Sequence, residues 1–311
     1  MGKYIIKRLI SLFFVILGVV FIIYLIFYLL PGDVTQFILG VNYTPEGAAR
    51  LREELGLNRP FIVQFFGYIG NLLHGDFGVS YLSGAPVSLQ LFARFPRTLL
   101  LVACSMALCV AISVPMGVYC AVHPKSILSD LMQFLCSVGI AMPSFWLALL
   151  LMLLFSVRLE WLPALGSVSL KGIILPCVTL CASFLASTMR MMRSSMLETL
   201  NQGYIRTARA KGVGRRGVIY RHALKNSLLP VVTMVGMNVG TQMGGSILTE
   251  SVFSYQGIGL MLMDSIFSRD IPSVLGCIVL MALSIGVVNL LVDILMLYID
   301  PRIKASITKG A

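Results

Sequence analysis

The chain has 311 residues, 58% of them hydrophobic and only 12% charged, with a mean hydropathy of +0.90 and a formal net charge of +11. A soluble domain is about half apolar and about a quarter charged, so this composition excludes one and indicates an integral membrane protein. The charge excess does not call for nucleic acid, because most of it falls in segments that one side of a membrane would hold.

Several apolar runs approach the roughly 20 residues that cross a bilayer, and backbone polar groups must be satisfied inside lipid, so the expected fold class is all-α. Lys3, Lys7 and Arg8 precede a run from Leu9 to Leu30. This run is longer than the roughly 7–15 residue core of a signal peptide, and residues 1–30 read as a retained first span with a cytoplasmic N-terminus. Residues 31–96 are mixed and read as an extracytoplasmic segment. Thr44-Pro45-Glu46 starts a short helix over Ala48 to Leu55 that Gly56 stops. Phe61 to Leu73 carries Phe61, Phe65, Ile69 and Leu72 at helical spacing and suits a helix at the membrane interface.

Residues 97–300 read as a five-helix core. Its spans are Thr98 to Val122, Leu131 to Val157 with a break near Pro143, Ile173 to Met191, Leu228 to Thr249, and Ser273 to Tyr298. A cytoplasmic loop, 193–228, interrupts the core, and a tail, 301–311, follows it. Under this layout the inner segments hold sixteen of the 24 Lys and Arg, which supports about six transmembrane helices with both ends inside.

The densest charge lies between Gly203 and Pro230, where Arg206, Arg209, Lys211, Arg215, Arg216, Arg221 and Lys225 occur without an acid. Tyr204 to Lys211 reads as a short helix stopped by Gly212 and Gly214. Two readings stand: a signal that only orients the chain, and a stiff basic helix that another protein can grip.

No catalytic constellation is present. G-x-S-x-G, H-E-x-x-H, C-x-x-C and G-x-x-x-x-G-K-[ST] are all missing, and His74, His123 and His222 fall far apart. If ATP drives this protein, another chain binds it. The seven cysteines sit in or beside apolar runs and read as small buried hydrophobes. Cys177 and Cys181, one turn apart, lack a nearby histidine or acid to complete a metal site. In the fifth span Gly236, Gly240 and Gly244 form a small-residue ridge. Asn238, Thr241, Gln242, Ser246 and Thr249 fall largely opposite, as the wall of a hydrated passage or as bonds to neighbouring helices. In the sixth span, Asp293 lies near the inner end, one turn after Asn289, and an interfacial partner suits it better than a proton relay.

Tyr204-Ile205-Arg206-Thr207-Ala208-Arg209-Ala210-Lys211-Gly212, with Arg221-His222-Ala223-Leu224-Lys225-Asn226 and Leu228-Leu229-Pro230, resembles the cytoplasmic loop of ABC importer permeases. The resemblance is narrower, to the dipeptide, oligopeptide and nickel family and to the first of its two paired permeases. Gly75-Asp76-Phe77-Gly78-Val79-Ser80, Pro143-Ser144-Phe145-Trp146, Trp161-Leu162-Pro163, Thr249-Glu250 with Phe253, and Asp300-Pro301-Arg302 extend it over nearly the whole chain. One departure is Tyr255-Gln256-Gly257, where the family often has Trp-Pro-Gly.

The resemblance implies a type I ABC importer permease in a bacterial cytoplasmic (inner) membrane. It implies as partners a second, homologous permease, two cytoplasmic ATPases and an external substrate-binding protein. This chain would bind no cofactor; ATP and Mg would belong to the ATPases. Tyr204, Arg206, Thr207, Ala208, Arg209, Ala210, Lys211 and Gly212 would form the coupling helix that docks in an ATPase cleft. The expected cargo is short peptides, with nickel as the alternative. An ATP-independent transporter or channel is the competing class, and no inverted repeat supports it.

Overall fold

The computed structural model describes residues 2–29 and 32–299; the Asp300-Pro301-Arg302 motif and the tail 301–311 lie outside the described residues. The described residues form twelve α-helices and no strand, with a single isolated bridge between Val79 and Pro86. In chain order these are α1 (Gly2–Leu29), α2 (Val34–Leu39), α3 (Pro45–Glu54), α4 (Phe61–Leu73), α5 (Val87–Val122) and α6 (Ile127–Ala141). Then come α7 (Ser144–Met152), α8 (Ile174–Leu200), α9 (Gly203–Ala210), α10 (Leu224–Val252), α11 (Ile258–Phe267) and α12 (Ile271–Ile299). Two π-helical turns, Leu153–Arg158 and Gly217–Ala223, extend α7 and precede α10.

Among the described residues, α1, α5, α8 and α12 are long and apolar enough to cross a membrane, and the pair α6 and α7 passes the same test jointly. Helix α10 has the length, 29 residues, but its amides, hydroxyls and glycines dilute its apolar character. The third expected span breaks near Pro143, as its sequence indicates, and its halves bend by 106°. Pro143 has no N–H to donate and pushes Met142 into extended backbone (φ −84°, ψ 130°), so α6 ends there and α7 starts afresh.

The described residues divide into two compact units, the first formed by the chain up to Thr98 with Gln256–Val287, the second by Leu99–Tyr255 with the helix from Val288. Helix α11 and the part of α12 up to Val287 group with the N-terminal part of the chain.

In the first unit an aromatic ladder joins α1 to α4. Phe21 meets Phe61 and Phe65 edge-on at 5.6 and 5.5 Å, Tyr24 meets Tyr68 at 5.7 Å, and Tyr28 meets Phe61 at 5.4 Å. Such pairs add about 0.5–1.5 kcal/mol each beyond area burial. The other face of α4, with Ile62, Val63 and Phe66, is exposed and apolar. Helix α3 starts as its sequence indicates: Thr44 accepts a hydrogen bond from the Gly47 N–H at 3.1 Å, and Gly56 ends the turn at φ +67°. Asp33 caps α2 by accepting from the Thr35 N–H and pairs with Arg52 of α3. Partial desolvation works against its charge, but hydrogen bonds from Thr35 and Arg52 prevail and hold the carboxyl below the usual carboxylate range.

A buried carboxylate fastens the Gly75–Ser80 motif. Asp270 accepts from Ser80 Oγ at 2.6 Å, Tyr81 N–H at 2.9 Å and Ser273 Oγ at 2.7 Å, at the start of α12. Three donors offset the desolvation that would otherwise oppose a buried charge. Helix α5 begins at Val87, well before the expected Thr98, because its first turns are buried on α12. A Cβ at Gly276 would lie 2.7 Å from Val87 Cγ1 and 3.1 Å from Leu91 Cδ1.

In the second unit α8 packs along α10 and across α5. Helix α8 continues past the expected Met191 to Leu200 because Met192 and Met196 are fully buried. Gly117 permits the close approach of α5, since a Cβ there would sit 2.6 Å from Met192 Cβ. Ser195 Oγ donates to the Ser227 carbonyl at 2.9 Å, tying the inner ends of α8 and α10. Tyr255 is fully buried; a Cβ on Gly166 would come within 3.0 Å of its Cβ, and Gly166 N–H donates to Phe253 O at 2.6 Å. The departure at Tyr255 therefore fills a packed site.

Candidate functional site

The basic stretch folds as α9, eight residues joined to α8 by Asn201 and Gln202. Its sequence puts Ile205 and Ala208 three residues apart, on one helical face, and both are buried, Ile205 completely. Ile205 enters a core cluster with Val118, Met192, Met196, Val218 and Val231. Full burial of such a side chain contributes about 1.5–3 kcal/mol, enough to hold a two-turn helix that would not persist alone.

The end of α9 is a complete left-handed cap. Gly212 has φ +80°, its N–H donates to Arg209 O at 3.0 Å, and the Val213 N–H reaches back to Ala208 O at 3.2 Å. Nothing lies within 4 Å of a Cβ built on Gly212, so the glycine is needed for its backbone angle and not for space. Gly214 is not part of the stop: its carbonyl accepts from the Val218 N–H and opens the next helical segment.

Tyr204, Arg206, Thr207, Arg209, Ala210, Lys211 and Gly212 are exposed. Ala208 is the exception among the expected docking residues: at 9% exposure it faces the core, because it shares the Ile205 face. Two residues that position the helix lie outside the expected docking set. Ile205 was visible as the apolar member of an otherwise polar turn, whereas Asn226 was legible only as the end of the motif that carries the family resemblance. Its Nδ2 donates to Tyr204 Oη at 3.0 Å and to His222 O at 3.1 Å, joining α9 to the segment that enters α10. The exposed surface is cationic, and Arg209 and Lys211 sit where the helix dipole favours positive charge.

Helix α10 divides its polar residues differently from the expectation. Gln242, Ser246 and Thr249 are buried: Gln242 Nε2 donates to Leu180 O of α8 at 3.2 Å, while the Ser246 and Thr249 hydroxyls donate to the Met243 and Gly245 carbonyls of their own helix, so these three do not face a passage within this chain. The reason is that positions 242, 246 and 249 repeat at four and three residues, on the face that α8 covers. Thr241 is exposed and Asn238 half-buried. The glycine ridge also splits. Gly240 is buried, a Cβ on Gly236 would meet Val292 Cγ1 at 2.6 Å, and Gly244 lies open beside Met237, Thr241 and Leu248 on an exposed stripe.

Residues 113–305 match the family described as "Binding-protein-dependent transport system inner membrane component", and residues 1–102 match its N-terminal companion. The chain is 40% identical over 304 residues to the glutathione transport system permease protein GsiC of Salmonella typhimurium, covering 98% of this chain and 99% of that one. It is 38% identical to the oligopeptide transport system permease protein AppB of Bacillus subtilis over 315 residues, with 98% and 100% coverage. Among solved structures, an inward-facing MetNI methionine ABC transporter chain matches with a TM-score of 0.57 at 17% identity, covering 68% of this chain and 97% of that one. The helical architecture, the spans and these matches together show that the chain belongs to the binding-protein-dependent transport system inner membrane components, as a multi-pass permease subunit of an ABC importer with the type I fold.

Proposed function

We propose that this permease carries short peptides and is driven through the exposed face of α9, which docks on a cytoplasmic ATPase. The observation that carries the docking is the division of one short helix into a locked apolar face, Ile205 and Ala208, and an open cationic face, Arg206, Arg209 and Lys211. Movement of a docked α9 passes to α8 through two linking residues and to α10 through the bond between Asn226 and Tyr204. The matched family depends on a binding protein, which supports an external partner that delivers cargo; two ATPases with bound ATP and Mg complete the assembly.

The second permease would cover the exposed stripe of α10, and the passage would run past Thr241 and Asn238 rather than past Gln242, Ser246 and Thr249. The cargo reading rests on relatives named for glutathione, oligopeptide and dipeptide transport. The deciding measurement is ATP-dependent uptake by the reconstituted complex with its binding protein, offering di-, tri- and pentapeptides and nickel separately. Peptide uptake that stops without ATP is expected; uptake of nickel alone would overturn the cargo assignment, and uptake without ATP would overturn the mechanism.

A further inference from the structure

Beside α9, and separate from it, the second unit contains a cavity of about 730 Å³ between the last turns of α5, the start of α6 and the segment Arg215 to Leu224. Its walls are apolar, with Val114, Val118, Met132 and Leu224 among them. Its polar lining comes from Arg215, Arg216, His123, Tyr119 and Tyr220, and no acid contributes to it. Arg215 and Arg216 are exposed and have no hydrogen-bond or ion-pair partner among the described residues. The rim is open and apolar: Tyr220 is 63% exposed, and on the first turns of α6 Ile127 and Leu131 are 87% and 49% exposed. Aromatic side chains collect at the level of the headgroups, and cations at the inner end of membrane helices attract anionic lipid.

A docking surface for a soluble protein has little use for a largely apolar cleft flanked by exposed aliphatic side chains, and a free phosphate would leave most of the volume unfilled. We infer that this cavity is a binding site for one anionic phospholipid of the inner leaflet, with its phosphate between Arg215 and Arg216 and its glycerol and first methylenes against Val114 and Met132. The bound lipid would brace the π-helical turn Gly217–Ala223, which joins α9 to α10.

The test uses the purified complete importer in detergent. Retained lipid is read by native mass spectrometry, and melting temperature is followed with added short-chain phosphatidylglycerol, phosphatidylcholine or inorganic phosphate. Phosphatidylglycerol alone is expected to be retained and to raise the melting temperature. The double variant Arg215→Gln, Arg216→Gln should retain roughly 30-fold less, from the attraction that two such cations supply. Val114→Phe, which fills the cavity and leaves both arginines in place, should lower retention as well. Equal retention of phosphatidylcholine, an equal effect of inorganic phosphate, or unchanged lipid in both variants would each overturn the site. So would loss of the ATPases from the arginine variant with its lipid retained, which would make the surface a protein contact.

Discussion

Helices α4 and α9 are both short, both lie outside the long spans, and both were expected from sequence, yet they are held in opposite ways. Helix α4 commits an entire aromatic face to α1 through Phe61, Phe65 and Tyr68, and its other face is apolar too. Helix α9 has one fully buried anchor, Ile205, a glycine cap, and a charged face left open. The difference teaches that α4 spreads its attachment over many contacts, whereas α9 is fixed at a few points and keeps the rest of its surface available, as the proposed docking on an ATPase would require.

The largest effect expected from breaking that contrast is at Phe65. Phe65→Ala should cost about 3–5 kcal/mol of local stability, read as a lower melting temperature of the complex, while the ATPases remain bound in pull-down. Ile205→Ala should cost about 2–5 kcal/mol and, unlike Phe65→Ala, lower uptake per ATP hydrolysed; unchanged coupling would show that the anchor only stabilises. Gly212→Ala should cost about 1–2 kcal/mol, because a left-handed angle is imposed on a side-chain-bearing residue. Gly212→Asn should be milder, a ranking that thermal unfolding can check.

Reversing charge with Arg206→Glu and Arg209→Glu should change stability by no more than about 0.5 kcal/mol yet sharply reduce co-purification of the ATPases; full recovery of them would falsify the docking assignment. The smallest effect concerns Asp33. Its carboxyl is held low in the folded state, so its pairing with Arg52 stabilises above the ordinary carboxylate pKa of about 3.9 and is lost as pH falls through the depressed folded value. Asp33→Asn should remove that acid-side dependence in melting curves taken between about pH 6 and about pH 3.

The elements legible in the sequence were those with strong local signals. Helix α4 has the expected bounds, because Pro60 precedes it and Gly75 follows close after it. The body of α9 and its stop at Gly212 were readable from good helix formers followed by glycine. Less legible were the true start of α5 and the length of α8, since Val87 to Arg97 and Met192 to Leu200 look too polar for lipid and become helical by packing on α12 and α5. The side-chain division of α10 was least legible. Asn238, Thr241, Gln242, Ser246 and Thr249 are alike in polarity, and their separation into exposed and buried depends on where α8 lies.

Composition and the positions of glycine and proline by themselves determined a helical membrane protein, the bounds of α4, the stop of α9 at Gly212 and the break at Pro143. Those are properties of a chain meeting water or lipid, and they need no neighbour. Tertiary structure alone decided that Ala208 faces inward, that Gln242 bonds to α8, that Asn226 ties α9 to the entry of α10, and that two arginines flank an apolar cleft. Each of these depends on which helix covers which face, a choice made by packing between segments distant in sequence.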